Sequence, residues 1–348
     1  MTDSIRDIHL GAPAECLRPR ILSPTLREGC PRDPRTLPAP EKCPSRPSSL
    51  DILFLGKAES GLAESLARQA MSAGHRATVV IPRHRPVPQG VSCLVADREQ
   101  EDFPRLLHPL LRKEDHSPRF SLTVDCSGSS PRHARQDLEE VALPGTHLAF
   151  LSQDLVYDPE SRDFPTRQET TDYCPEDTPL WGDLHQAELH FLQSPSFPDG
   201  PHWTILRLTL LLDGPQCLDT FPPRQERGQR LKEGRPIQLR AGGHWLVQPL
   251  AVADLARILF ALPQNPAAQG AILDCAGPRR LEFRQLCQLA ARLMGQEAIL
   301  QEEPSPDGRP LPPEDAPYLC HRLYPLPWPY PGIPAPLLAP QDVLKELL

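Results

Sequence analysis

Residues 51–83 read DILFLGKAESGLAESLARQAMSAGHRATVVIPR, and the architecture of the whole chain can be read from them. Asp51 to Gly56 is a short apolar run closed by glycine, the form of a strand buried on both faces. In the segment that follows, Leu62, Ala63, Leu66, Ala67, Ala70 and Met71 fall on one helical face, and Gly74 supplies the stop. ATVVIP then gives a second strand. Further along, SCLVAD, SLTVDCSG, HLAFLSQDLVY and HWTILRLTLLL continue the series with helical segments between them. Alternation of this kind predicts an α/β protein with a doubly wound parallel sheet covered on both faces. Such a sheet receives its ligands beyond the carboxyl ends of the strands.

Composition narrows the classes. The chain of 348 residues is long enough to bury a full core, and its net charge of −8 gives no electrostatic footing for nucleic acid. TILRLTLLL is far shorter than the roughly 20 residues a membrane helix needs, so no membrane span is expected. The N-terminus lacks a charged start followed by an apolar core, and the expected location is the cytoplasm. Ten cysteines are scattered and never form CxxC, a spacing that suits reduced structural thiols and offers no metal site.

The 45 prolines mark the boundaries. Nine lie in residues 1–50 without apolar periodicity, which predicts a disordered or extended N-terminal arm. Residues 51–215 form the main α/β domain and 216–302 a smaller C-terminal lobe whose strands can return to the main sheet. Residues 303–348 are a proline-rich strap ending in a short helix. Within it, Tyr324, Trp328 and Tyr330 alternate with prolines and suit packing along a surface, either the protein's own or that of a protein partner.

In a doubly wound sheet the first strand–turn–helix carries GxGxxG when it cradles a dinucleotide. Here the turn is LGKAESGLAES: Gly56 and Gly61 stand at its ends, with Lys57, Ala58, Glu59 and Ser60 between them. Glu59 would oppose a phosphate, and Lys57 would partly compensate.

Seven segments in order resemble the extended and atypical short-chain dehydrogenase/reductase family, in particular its NAD-dependent epimerase/dehydratase branch. They are the glycine turn through IPR, VADR at residues 95–98, VDCSGSSPRHAR, LSQDLVYDP, YCPEDTPLWGDLHQAELHFL, WTILRLTLLLDGPQCLDTF, and the run from EGRPIQLRAGGHW to AARLMG. The resemblance covers about residues 51 to 300 and implies a Rossmann-like fold with a substrate lobe, NAD or NADP as cofactor, and pairing of two copies. Gly56, Gly61, Arg83, Asp97 and Gly128 occupy the places it assigns to the cofactor. Arg83, with His84 and Arg85 nearby, stands where an acid would hold a free ribose hydroxyl, so a 2′-phosphate and hence NADP is favoured.

The family's chemistry uses a Tyr made acidic by a Lys one helical turn on, with a Ser or Thr holding the substrate oxygen. The aligned positions here are Trp181, His185 and Gln153, all changed in type. Indole cannot shuttle a proton. Ser152 neighbours Gln153 but points to the opposite face of its strand. Tyr173 is the phenol near this segment, and four residues on stands Asp177, which cannot lower a phenol's pKa.

Two readings of different class follow. In one, the chain is a degenerate member of the family, a non-catalytic binding, regulatory or assembly protein whose cleft holds NAD(P) or stays empty. Protein partners would then dock on the N-terminal arm or the C-terminal strap. In the other, it is an NAD(P)-dependent epimerase, dehydratase or reductase acting on a sugar-nucleotide-like or other small substrate. His185 then replaces the tyrosine, and Arg207, Phe221, His244 and Trp245 surround the substrate cleft.

Overall fold

The computed structural model describes residues 49–58, 60–158, 173–174, 181–194, 202–212, 226–303, 330 and 332–347. The N-terminal arm up to residue 48, Glu59, Phe221, Tyr324 and Trp328 lie outside the described residues, and of Trp181 only the backbone is described.

The sheet is built first. β1 (Asp51–Leu55), β2 (Arg76–Ile81), β3 (Ser92–Val95), β4 (Leu122–Asp125), β5 (His147–Gln153) and β6 (His202–Leu208) join a seventh strand, Ala271–Cys275, in one parallel sheet. The order runs from Ala271–Cys275 through β6, β5, β4, β1 and β2 to β3. The chain thus winds outward from β1 to β3, then crosses to the other side of β1 at β4. That reversal opens a crevice between β1 and β4. The seventh strand comes from the segment AILDC, late in the smaller lobe's sequence, and returns to the sheet beside β6.

Ile52, Leu53 and Phe54 are all wholly buried, because helices cover both faces of β1. On one face, α1 (Leu62–Ser72) lays Ala63, Leu66, Ala67 and Ala70 on Ile52, Phe54 and Val79, and α6 (Val252–Ala261) adds Leu255, Ile258 and Leu259. On the other, α2 (Phe103–Leu111) packs Phe103, Leu107 and Leu111 on Leu53, Leu55 and Val80. α3 (Pro131–Gln136) and α4 (Trp181–Gln193) cover β5 and β6 through Ala134, Leu184, Ala187 and Phe191. Gly74 ends α1 at φ +83°, and the His75 amide returns to Ala70 O at 2.9 Å, so the left-handed position is needed for the stop.

A second core holds Leu231 of α5 (Arg227–Lys232), Phe283, Leu286 and Cys287 of α7 (Phe283–Leu293), and Trp245 and Val247 between them. α8 (Pro340–Leu347) adds Val343 and Leu344. The C-terminal segment before α8 runs over the main domain. Tyr330 and Ile333 enter the first core, and Asp254 Oδ2 accepts the amides of Leu337 and Leu338 at 2.9 and 2.8 Å. Among the described residues no helix is long and apolar enough to cross a membrane.

Candidate functional site

The crevice at the strand-order reversal contains a cleft of about 360 Å³. Its lining comes from the ends of the first four strands: Gly56, Lys57 and Ala58 after β1, Pro82 and Arg83 after β2, Asp97, Arg98 and Glu99 after β3, Ser127 and Ser129 after β4, and His133 of α3. Val80, Ala96 and Phe103 give it apolar walls. The cleft therefore brings together Gly56, Arg83 and Asp97 of the cofactor residues expected from the sequence.

The glycine turn is shaped by packing. A Cβ on Gly56 would lie 2.9 Å from Ile81 Cγ2 and 3.1 Å from Ala63 Cβ, so glycine is required for α1 to approach the sheet. Gly61 precedes α1 and has nothing within 4 Å of a Cβ position, which leaves space at the helix start. The turn's carbonyls converge on one cation. Arg85 donates to Lys57 O at 2.8 Å, Ala58 O at 3.0 Å and Ser60 O at 2.5 Å, and pairs with Glu64. The Leu62 amide is taken by Ser60 Oγ at 3.2 Å.

The floor of the cleft is ionic. Arg98 donates to Asp125 Oδ2 at 2.9 Å, Asp137 Oδ1 at 2.8 Å and Ser127 Oγ at 2.8 Å. Asp125 Oδ1 accepts the amides of Ser127 and Gly128 at 2.7 and 2.9 Å. Burial opposes charge on Asp125, but Arg98 and hydrogen bonds from Asp137 and Ser127 outweigh it and hold this carboxyl well below the usual range. Asp137 goes the other way: burial and the adjacent Asp125 charge push it well above the usual range. The two carboxyls on either side of the guanidinium are thus pushed in opposite directions, Asp125 toward its charged form and Asp137 toward its neutral one. A Cβ on Gly128 would sit 2.3 Å from both Asp125 Oδ2 and a Phe150 ring carbon, so this glycine makes room for the cluster.

Of the three positions aligned with the family's chemistry, Gln153 and His185 do not line this cleft, and the Trp181 side chain lies outside what is described. Gln153 is exposed at the end of β5. Ser152 faces the other way, wholly buried, and donates to Glu188 of α4. The His185 ring stacks on Tyr173 at 4.4 Å between centroids, and Tyr173 stacks on Tyr157 at 5.5 Å.

Arg207 is not the cleft-lining group expected from the sequence. It is wholly buried on β6 and donates to Glu188 Oε2 at 2.6 Å, to Tyr157 OH at 2.5 Å and to Tyr173 OH at 3.2 Å. A cation inside a sheet has to find a carboxylate there, and Glu188 supplies it. Tyr157 donates its own proton to Asp274, at 3.0 Å from Oδ1, and burial together with Asp274 pushes this phenol well above its usual pKa. Trp245 also departs from the expectation: it is buried in the second core, stacked on Phe283 at 5.2 Å. His244 is exposed beside it, between Glu282 at 3.2 Å and Arg284 at 2.6 Å. Arg98, Asp125 and Asp137 were missed by sequence reasoning. The available signal was two carboxylates and an arginine in segments that the strand pattern brings to one crevice.

No protein-family model matches the sequence, and no curated protein matches it. Solved structures do match. An epimerase from Methanothermobacter thermautotrophicus superposes with a TM-score of 0.64 at 12% identity, over 86% of this chain and 91% of that one. A UDP-glucose 4-epimerase from Thermotoga maritima, solved with UDP-glucose, gives 0.60 at 14% identity over 86% and 97%. A dTDP-glucose 4,6-dehydratase from Bacillus anthracis, solved with NAD, gives 0.60 at 13% identity over 86% and 95%. The fold of this chain is therefore that of the NAD-dependent epimerases and dehydratases.

Proposed function

We propose that this chain is a nucleotide-binding member of that fold which carries out no hydride chemistry: a binding or regulatory protein that holds NADP-type nucleotides in the β1–β4 cleft. The observation that carries this reading is the buried set Ser152–Glu188–Arg207–Tyr157–Asp274. It joins β5, α4, β6 and the seventh strand, and it ties up Ser152, the serine that neighbours the changed position Gln153. Each of its polar groups is satisfied by another, and Tyr157, the buried phenol among them, is held protonated. His185 lies with its ring against Tyr173, an arrangement that suits packing.

The cleft suits the adenosine end of such a ligand. Val80, Ala96 and Phe103 offer apolar surface to a base, Asp97 an acceptor for an exocyclic amine, and Arg83 and Lys57 positive charge for phosphate. Space at Gly61 leaves the start of α1 open to an anion. When bound, the nicotinamide end would supply a hydride; nothing in the chain's own chemistry at Gln153, Trp181 and His185 would use it.

Calorimetry with NADPH and NADH tests the reading. Saturable binding, tighter for NADPH and weakened at least tenfold in Arg83→Ala, supports it. Absence of binding at millimolar NADPH, in protein shown to be folded, overturns it.

A further inference from the structure

Resting on the nucleotide reading above, we propose that Arg85 is a positioning residue for the ligand's diphosphate: it touches no phosphate itself, and it holds the turn after β1 so that the turn's amides are left for the anion.

Arg85 follows β2, yet its hydrogen bonds go to the turn after β1 and to the helix beyond it. Its Nη1 donates to Ala58 O at 3.0 Å, and its Nη2 to Lys57 O at 2.8 Å and Ser60 O at 2.5 Å. Its Nε pairs with Glu64, a buried acid in the first turn of α1. A planar guanidinium has its donors in a fixed fork, so acceptors that meet it are fixed in direction as well as in place. With all three nitrogens engaged, Arg85 acts on a ligand through the turn.

The direction of the carbonyls decides what the rest of the turn offers. In a trans peptide unit the C=O and the N–H point opposite ways. The carbonyls of Lys57 and Ser60 are drawn to Arg85, so the amides of Ala58 and Gly61, which belong to the same two units, point away from it. Among the described residues neither amide meets an acceptor. Gly61 leaves open space where a Cβ would stand. Gly56, Lys57 and Ala58 line the cleft, and Arg85 and Glu64 do not. The cation therefore backs the turn, and the outward amides with the start of α1 form a concavity suited to phosphate oxygens. The Arg85 charge also cancels that of Glu64, which would otherwise oppose an anion at the helix start.

The test separates this role from a direct contact and from a charge effect. Dissociation constants on the full chain are measured by calorimetry for NADPH and for adenosine 2′-monophosphate, which has the 2′-phosphate and no diphosphate. Arg85→Ala is expected to weaken NADPH at least tenfold and the monophosphate less than twofold. Arg85→Ala combined with Glu64→Gln, which removes the uncompensated acid, is expected to stay as weak. In the wild-type protein, NADPH is expected to move the amide NMR signals of Ala58 and Gly61, a readout that does not depend on any variant folding. Unmoved signals, unchanged NADPH affinity in Arg85→Ala, equal losses for the two ligands, or recovery in the double variant would each overturn the proposal and leave the nucleotide reading intact. Failure of NADPH to bind the wild-type protein at millimolar concentration would overturn the nucleotide reading, and this inference with it.

Discussion

Arg207 and Glu188 meet inside the protein with no exposure of either side chain beyond 1%, and the guanidinium Nε lies within 3.2 Å of both carboxylate oxygens. The pair locks α4 to β6. Breaking such a pair leaves a buried charge uncompensated. Glu188→Ala is expected to cost about 3–5 kcal/mol in chemical denaturation. The double replacement Glu188→Leu with Arg207→Met should recover most of that loss, since it leaves no charge behind. If the double variant is as unstable as the single, the pair is not acting through its charge.

The two acids flanking Arg98 should behave oppositely. Burial and the Asp125 charge push Asp137 toward its neutral form, so Asp137→Asn, which keeps an acceptor for Arg98, is expected to change stability by less than about 1 kcal/mol. Asp125 is ionised and accepts from Arg98, Ser127 and Gly128. Asp125→Asn should therefore cost about 3 kcal/mol or more. Equal losses from the two variants, measured by urea unfolding, would contradict the assignment.

His147 gives the fold a defined acid weakness. It is buried at the start of β5, its Nε2 2.8 Å from Thr204 Oγ1, and burial with the nearby His202 pulls its pKa down to about 3. The unfolded chain takes up this proton near pH 6.5 and the folded chain does not. Stability is therefore complete above about pH 6.5 and falls as the pH drops, at up to about 1.4 kcal/mol per pH unit. His147→Gln, whose amide can still donate to Thr204, should lose about 2–3 kcal/mol less than wild type between about pH 7 and about pH 4.5. Parallel pH profiles would contradict this.

Tyr330 ties the C-terminal segment to the edge of the sheet. Its hydroxyl accepts the Asp274 amide at 2.8 Å, on the strand that has β6 on one side and, among the described residues, no strand on the other. Tyr330→Phe leaves that amide buried without this acceptor and should cost about 1–3 kcal/mol. Hydrogen exchange at Asp274 should quicken before exchange at the central β1 does. Unchanged exchange at Asp274 would show that the hydroxyl does not hold the edge.

Most of the fold was legible, because each strand from β1 to β6 carries an apolar run and the helical segments between them force parallel pairing. The seventh strand was harder to place: AILDC is a short run within the smaller lobe's sequence, and only tertiary pairing with β6 separates it from its surroundings. Arg207 was misplaced for a physical reason. A charge in TILRLTLLL can face a cleft or a buried acid, and Glu188 stands 19 residues away on a different element. The Arg98 cluster was missed because Asp125 and Asp137 lie 27 and 39 residues from the arginine, and only the strand order, followed as far as the reversal, brings the three together.

Whether the chain holds a nucleotide without doing chemistry on it is decided by a turnover assay. Protein at saturating NADPH or NAD is incubated with UDP-glucose or dTDP-glucose, and mass spectrometry follows hydride transfer, epimerised sugar and lost water. A chain that only binds gives a rate indistinguishable from nucleotide and sugar alone, unchanged in His185→Ala. Product that forms with the wild-type protein and disappears in His185→Ala would contradict the proposal.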